Sequence, residues 1–229
     1  MKVKLNNSIY YEMILLAFAL IFLAFFQLNC KLKPIETKLL LPPPSISHFT
    51  FGYSELLADS FWIRSIQDFD YCEQSKILPD GKKSRDCIDN GWVSQMLDLI
   101  TDLSPKFRIA YATGGIILSV LVSDIKGATK ILDKAVKEFP NDWPILYRAS
   151  YHALVEEKDK AKAADLFARA VRNGAPQWVY AMAGRLYGET GQIEMAEKLL
   201  EEMKSINADE VLIKRLEDKI NVLKAEQNK

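Results

Sequence analysis

The chain has 229 residues, 49% of them apolar, and its 30 Lys plus Arg balance 30 Asp plus Glu. That is enough for one domain or two small ones with a real hydrophobic core, while the even charge balance supplies no basic field for nucleic acid or an acidic membrane surface. With three cysteines and two histidines, a zinc cluster or a histidine acid–base dyad has little to draw on.

The apolar residues are concentrated at the start. Met13 to Phe26 is an unbroken apolar run preceded by Lys2 and Lys4. Extended from Ile9 to Leu28 it reaches about the 20 residues of a bilayer span, with Glu12 and Gln27 near its ends. Read as the shorter run, it has the basic start and apolar stretch of a secretory signal, without an A-x-A cleavage site. Cys30 follows directly, and Phe26-Gln27-Leu28-Asn29-Cys30-Lys31 resembles the end of a bacterial lipoprotein signal, whose cysteine becomes the lipidated first residue. Gln27 and Asn29 depart from that pattern, which has Leu three before the cysteine and a small residue just before it. The resemblance implies lipidation at Cys30. An uncleaved signal anchor is the rival reading, and a cytoplasmic protein with a buried apolar N-terminal helix is the third. The first two place the body outside the cytoplasm of a bacterial cell envelope, tethered to a membrane.

Cys72 and Cys87 bracket the largely polar stretch Glu73 to Asp86. In an exported chain they are a candidate disulfide, and closing a loop of about 15 residues is worth on the order of 3 kcal/mol in the chain-entropy model. Cys30 is then the odd cysteine, which lipidation accounts for; three unconnected thiols are the plainer alternative.

Residues 31–47, with Pro34 and Pro42-Pro43-Pro44, read as an extended spacer after the 1–30 signal or anchor segment. Residues 48–107 hold the N-terminal helices and the cysteine loop. From Gly52 to Asp70, Leu56, Leu57, Phe61, Trp62, Ile66 and Phe69 recur at helical intervals, which predicts a helix that turns them to the core; Phe61 and Trp62 also admit a ligand-pocket reading. Pro79-Asp80-Gly81 marks a loop. From Asp89 on the pattern is helical throughout and nothing alternates as a strand would, so the fold class is all-α. Ser104-Pro105, Asp142-Trp143-Pro144 and Gly174-Ala175-Pro176 mark helix boundaries, and the helices are predicted near 90–103, 106–122, 125–138, 143–156, 159–173, 177–190, 192–205 and 209–226.

A repeat runs through residues 108–207. Tyr111, Tyr147 and Tyr180 lie 36 and 33 residues apart, each opening a first helix with small residues after it: Gly114-Gly115, Ser150-Tyr151 and Ala183-Gly184. The second helices carry Ala128, Leu132, Ala135; Ala163, Phe167, Ala170; and Ala196, Leu200, Met203. Small residues let paired helices approach and large ones fill the hole beside them. With Pro140 and Pro176 ending units, this resembles the tetratricopeptide repeat. Tyr151, where Gly115 and Gly184 stand in the flanking units, departs from the pattern and implies looser packing there. The resemblance implies three units in a right-handed superhelical stack of antiparallel helix pairs, an α-solenoid. Residues 208–229, with Leu212, Leu216, Ile220 and Leu223 on one face, form a C-terminal capping helix. At the other end, the helix carrying Trp92, Met96, Leu99 and Ile100, with the 52–70 helix, covers the first unit or forms a degenerate fourth. Leu56 to Trp62 with Gln67 also resembles the opening of a group of bacterial envelope repeat proteins.

No phosphate loop, zinc-spaced cysteine pair or nucleophile elbow is present, and no cofactor or metal is expected. The acidic pairs Asp68 with Asp70 and Glu156 with Glu157 read as solvated helix surface rather than as glycosidase carboxylates. An envelope enzyme is therefore the least favoured reading. The repeat resemblance implies a scaffold that binds another protein, as a peptide or helix in its groove; a structural subunit of a larger envelope complex is the alternative. Going round each first helix from the residues assigned to its own pair, Tyr147, Ser150, Tyr151 and Leu154 face inward, leaving Arg148 and His152 outside. The same construction exposes Arg185 and Trp178. In the first unit Ile109, Ala112, Ile116 and Ser119 are too apolar for water and are expected under the N-terminal helices, which puts the groove over the last two units, with Arg148 and Arg185 on a carboxylate and Trp178 as an apolar anchor.

Overall fold

The computed structural model of the chain describes residues 7–29, 41–74 and 87–227. These hold ten α-helices and no strand, in agreement with the all-α expectation. The chain divides into two units, Met1–Leu40 and Leu41–Lys229.

The first unit contributes α1 (Asn7–Asn29), whose 23 residues make a rod of about 35 Å at 1.5 Å per residue. It is apolar all round and so has no single stripe to pack; the side chains described on it are exposed, Leu15 by 73% and Phe18 by 70%. Among the described residues no helix is long and apolar enough to cross a membrane. The lipidation position, Cys30, and the spacer up to Leu40 lie outside the described residues.

The second unit begins with a short 3-10 turn, Pro44–His48, and continues with α2 (Ser54–Gln74), α3 (Trp92–Leu103), α4 (Arg108–Ile116), α5 (Ile125–Glu138), α6 (Trp143–His152), α7 (Lys160–Arg172), α8 (Trp178–Glu189), α9 (Ile193–Ser205) and α10 (Glu210–Gln227). Local chemistry sets the starts. The carboxylates of Asp124, Asp142 and Asp159 each accept a backbone N–H three residues on, from Gly127, Ile145 and Lys162, at 3.0, 3.2 and 2.9 Å, which satisfies a donor the helix leaves open. The ends of α4 and α6 share a device that periodicity does not reveal. Each continues as a π-helical turn, Ile117–Val122 and Ala153–Glu157, then stops at a left-handed residue, Ser123 (φ 63°) or Lys158 (φ 58°). The next N–H closes the end: Asp124 donates to the Leu118 carbonyl at 2.8 Å and Asp159 to the Ala153 carbonyl at 2.9 Å. This is a helix-closing loop widened to suit the π turn, built twice in successive units.

Neighbouring helices pack as α2 on α3, α4 on α5, α6 on α7 and α8 on α9, with α5 against α6, α7 against α8, and α10 across α8 and α9. The repeat positions form the core. Ala128, Ala163 and Ala196 are fully buried, as are Ala135, Ala170 and Met203. Tyr111 meets Phe139 edge-on at 5.6 Å and Tyr147 meets Phe167 at 5.5 Å, geometries that aromatic quadrupoles favour. A Cβ at position 184 would lie 2.4 Å from the Leu216 side chain, so α10 sits close on α8 because Gly184 has none. Ion pairs link alternate helices: Lys130 to Asp98 (2.7 Å), Lys162 to Asp133 (2.8 Å) and Arg172 to Glu202 (2.9 Å) join α5 to α3, α7 to α5 and α9 to α7. Each contributes about 0–1 kcal/mol, yet together they record one register repeated along the stack. Helix pairs stacked in this way are consistent with an α-solenoid.

α2 forms where a helix is expected, but it buries only part of the apolar set assigned to the core. Leu56 is 62% exposed and Ile66 45%, whereas the buried positions are Ala58 (0%) and Ser65 (4%), flanked by half-buried Phe61 and Trp62. Small residues seven apart let α2 lie close against α3, with Leu57 half-buried while Leu56 and Ile66 turn outward. Trp62 packs edge-on to Phe107 at 6.0 Å, and the Phe69 side chain lies outside the described residues.

Candidate functional site

Along α4, α6, α8 and α10 the surface opens into three clefts. The first, about 260 Å3, lies between the end of α4 and α6; its floor is Gly115 and Leu132, and its sides are Ile116, Ser119, Val120, Tyr147, Arg148 and Tyr151. The second, about 340 Å3, is bounded by Trp143, Pro144, Tyr147, Arg148, Pro176 and Trp178. Arg185, Arg215, Leu216, Lys219 and Val222 surround the third, of about 350 Å3, where α8 meets α10.

The first cleft has a largely apolar lining. Ile116 is 43% exposed, Val120 67% and Tyr151 52%; outside the cleft, Ile109 on α4 is 52% exposed and Val155 43%. The expected shelter from the N-terminal helices is therefore missing for Ile109 and Ile116; only Ala112 is buried, at 6%. α2 spends its contact on α3, and α4 keeps an open outer side. Tyr151 also reverses its assignment: instead of crowding the α6–α7 contact, it stands out into the cleft. The middle unit tolerates a tyrosine at the small-residue position because that side of α6 is free there.

Arg148 joins the first two clefts. Half-buried, it donates from Nη1 to the Ala112 carbonyl at 2.7 Å, which ties α6 to α4. No carboxylate among the described residues is within ion-pair distance of it. A guanidinium has five N–H donors, so most of its capacity is uncommitted beside an apolar surface.

His152 is not on an open face. It is 4% exposed and closes the floor of the first cleft, because a first helix in a stack contacts the second helix of the preceding unit as well as its own partner. Its Nε2 is 2.9 Å from Thr129 Oγ1, and that hydroxyl donates to Glu157 Oε1 at 3.2 Å. The hydroxyl hydrogen being used, Nε2–H must donate to it, and Nδ1 is a bare acceptor with no hydrogen-bond partner among the described residues. Lys162 completes the network with contacts of 2.8 Å to both Glu157 and Asp133. Burial holds the imidazole below the ordinary histidine value against the opposing pull of Glu157.

Trp178, 49% exposed, lies edge-on to Tyr147 at 5.7 Å. Arg185 pairs with Glu189 at 3.5 Å. The four residues singled out in the sequence are thus distributed: Arg148 with His152 at the first cleft, Arg148 with Trp178 at the second, and Arg185 at the third. None of these three clefts holds both arginines. Ile116, Val120 and Tyr151 are cleft residues that the sequence reading does not assign, although the apolar outer positions of the first unit and the break in pattern at Tyr151 are signals of them.

Among the acidic pairs, Asp68 bonds Arg64 at 3.3 Å, Glu157 is held by Lys162 and Glu156 is exposed; the Asp70 side chain lies outside the described residues. Cys87 is 4% exposed, while the side chains of Cys30 and Cys72 lie outside the described residues.

No family model matches the chain, and no curated protein or solved structure is significantly similar to it.

Proposed function

We propose that this chain is a tetratricopeptide-like interaction module of a bacterial cell envelope, held at a membrane by its N-terminal segment, and that it binds a peptide or helix of another protein along the face made by α4 and α6. The observation that carries this reading is the first cleft: several large apolar side chains left in water beside one half-buried arginine that has no carboxylate within ion-pair distance among the described residues. Such a surface favours an apolar side chain with an acidic neighbour, because burial of the first removes exposed area from water and the second completes the guanidinium with charge-assisted bonds. The right-handed superhelix, with first helices lining a continuous groove, belongs to this proposal, and so does tethering through α1 or a lipid on Cys30. Uniform apolarity along Met13–Leu23 supports the tether.

The test is selection of a random peptide library, displayed on phage, against the full chain in detergent. The expected result is enrichment of sequences pairing Leu, Ile or Phe with Asp or Glu, lost when selection is repeated on Val120→Asp. Equal enrichment on both proteins removes the cleft from the account and favours a structural subunit held by its broad faces.

A further inference from the structure

The groove leaves unused a surface between the spacer and α2. Residues 39–54, LLLPPPSISHFTFGYS, contain no Asp, Glu, Lys or Arg. Within that stretch Phe49, Phe51 and Tyr53 are 67%, 87% and 65% exposed. Phe51 forms the tip of a tight turn in which Tyr53 N–H donates to the Thr50 carbonyl at 2.8 Å, with φ of 48° at Phe51 and 86° at Gly52. The left-handed region is disfavoured for a bulky side chain. Strain of that kind persists where surroundings or function compensate it, and a phenyl ring held in water offers no such compensation.

An apolar phase supplies it. We infer that the Phe49–Tyr53 turn inserts into the interfacial layer of the lipid bilayer that holds the N-terminal segment, so that the body is pinned at a second point as well as tethered. The inference rests on the tethering proposed above. Three features favour lipid over a protein partner. The turn Phe49–Tyr53 holds no Asp, Glu, Lys, Arg or His, so a membrane interface receives it without burying an ion. Its exposed residues are aromatic, the type that resides at headgroup level. Cys30–Leu40, eleven residues, span at most about 40 Å when extended, which keeps the turn within reach of whatever surface holds α1. Glu55 and Asp59, exposed at the start of α2, limit the insertion to the turn and disfavour an anionic surface. A second contact also answers the marginal hold that a single lipid chain provides.

The test uses the full chain reconstituted in phosphatidylcholine vesicles, with Phe51→Trp and, as an independent probe, Tyr53→Trp. Vesicle flotation and quenching by lipids brominated on their acyl chains are both read. The expected result is flotation, with the tryptophan emission added at 51 and 53 quenched and the native tryptophans unaffected. Flotation without quenching at either probe overturns the insertion and leaves the tether intact; a blue shift without quenching assigns the turn to a protein contact such as a second copy, and also overturns it. Failure to float overturns both.

Discussion

Asp124 offers a calculation that the fold itself controls. Its carboxylate, 1% exposed, caps α5 through Gly127 N–H at 3.0 Å and accepts from Asn90 N–H and Gly91 N–H, each at 3.1 Å. One side chain thereby serves the starts of α5 and α3. In Asp124→Ala the cap is worth about 1 kcal/mol and each of the other two donors about 1–2 kcal/mol once its charged acceptor is gone, a total of about 3–5 kcal/mol. Asp159 holds the same place one unit later, after the same left-handed residue and π turn, but accepts a single exposed bond from Lys162 N–H at 2.9 Å; Asp159→Ala should cost about 1 kcal/mol. Urea unfolding followed by helical circular dichroism on both variants gives the comparison, and in a thermal melt the gap of about 2–4 kcal/mol amounts to roughly 4–16 °C in Tm for a domain of this size. Asp124→Asn, which keeps an acceptor oxygen, should recover part of the loss. Equal destabilisation by the two alanine variants would refute the idea that Asp124 joins two helices.

His152 predicts a pH dependence. Its folded value is depressed, so its contribution is complete above the unfolded value of about 6.5 and is lost as pH falls through the folded value, when Nδ1 acquires a proton with no acceptor to receive it. Between pH 7 and 5 the wild type should therefore lose more stability than His152→Gln; parallel curves contradict this. Asp142 and Glu189, held low by Arg108 and Lys160, act only at more acid pH. Mass spectrometry of protein digested without reduction should recover Cys72 linked to Cys87, and free thiols at both positions remove that support for an extracytoplasmic body. Cys30→Ala should abolish metabolic labelling by a fatty acid; membrane retention of an unlabelled wild type would instead favour a signal anchor.

Helix order and boundaries were legible because they are set locally. The caps at Asp124, Asp142 and Asp159, Pro144 at a helix start and the Ala-Leu-Ala and Ala-Phe-Ala spacings of the second helices act within a turn or two of themselves. Facing was less legible. Taking each helix with one partner sent Tyr151 inward and His152 outward, and the stack does the reverse, because α6 has α5 behind it as well as α7 beside it. Leu56 and Ile66 mislead for a related reason: two small residues, Ala58 and Ser65, decide how α2 lies, and hydrophobicity alone ranks them last. The π turns ending at Ser123 and Lys158 leave no glycine to mark them.

The central claim, that the cleft between α4 and α6 receives an acidic-apolar segment with Arg148 on its carboxylate, is tested most directly by a double-mutant cycle. Arg148→Ala is combined with replacement of the acidic residue of a selected peptide by its amide, and the four affinities are measured by calorimetry on the full chain. Direct pairing predicts a coupling of about 1.5–3 kcal/mol; independent, additive effects of the two changes would contradict it.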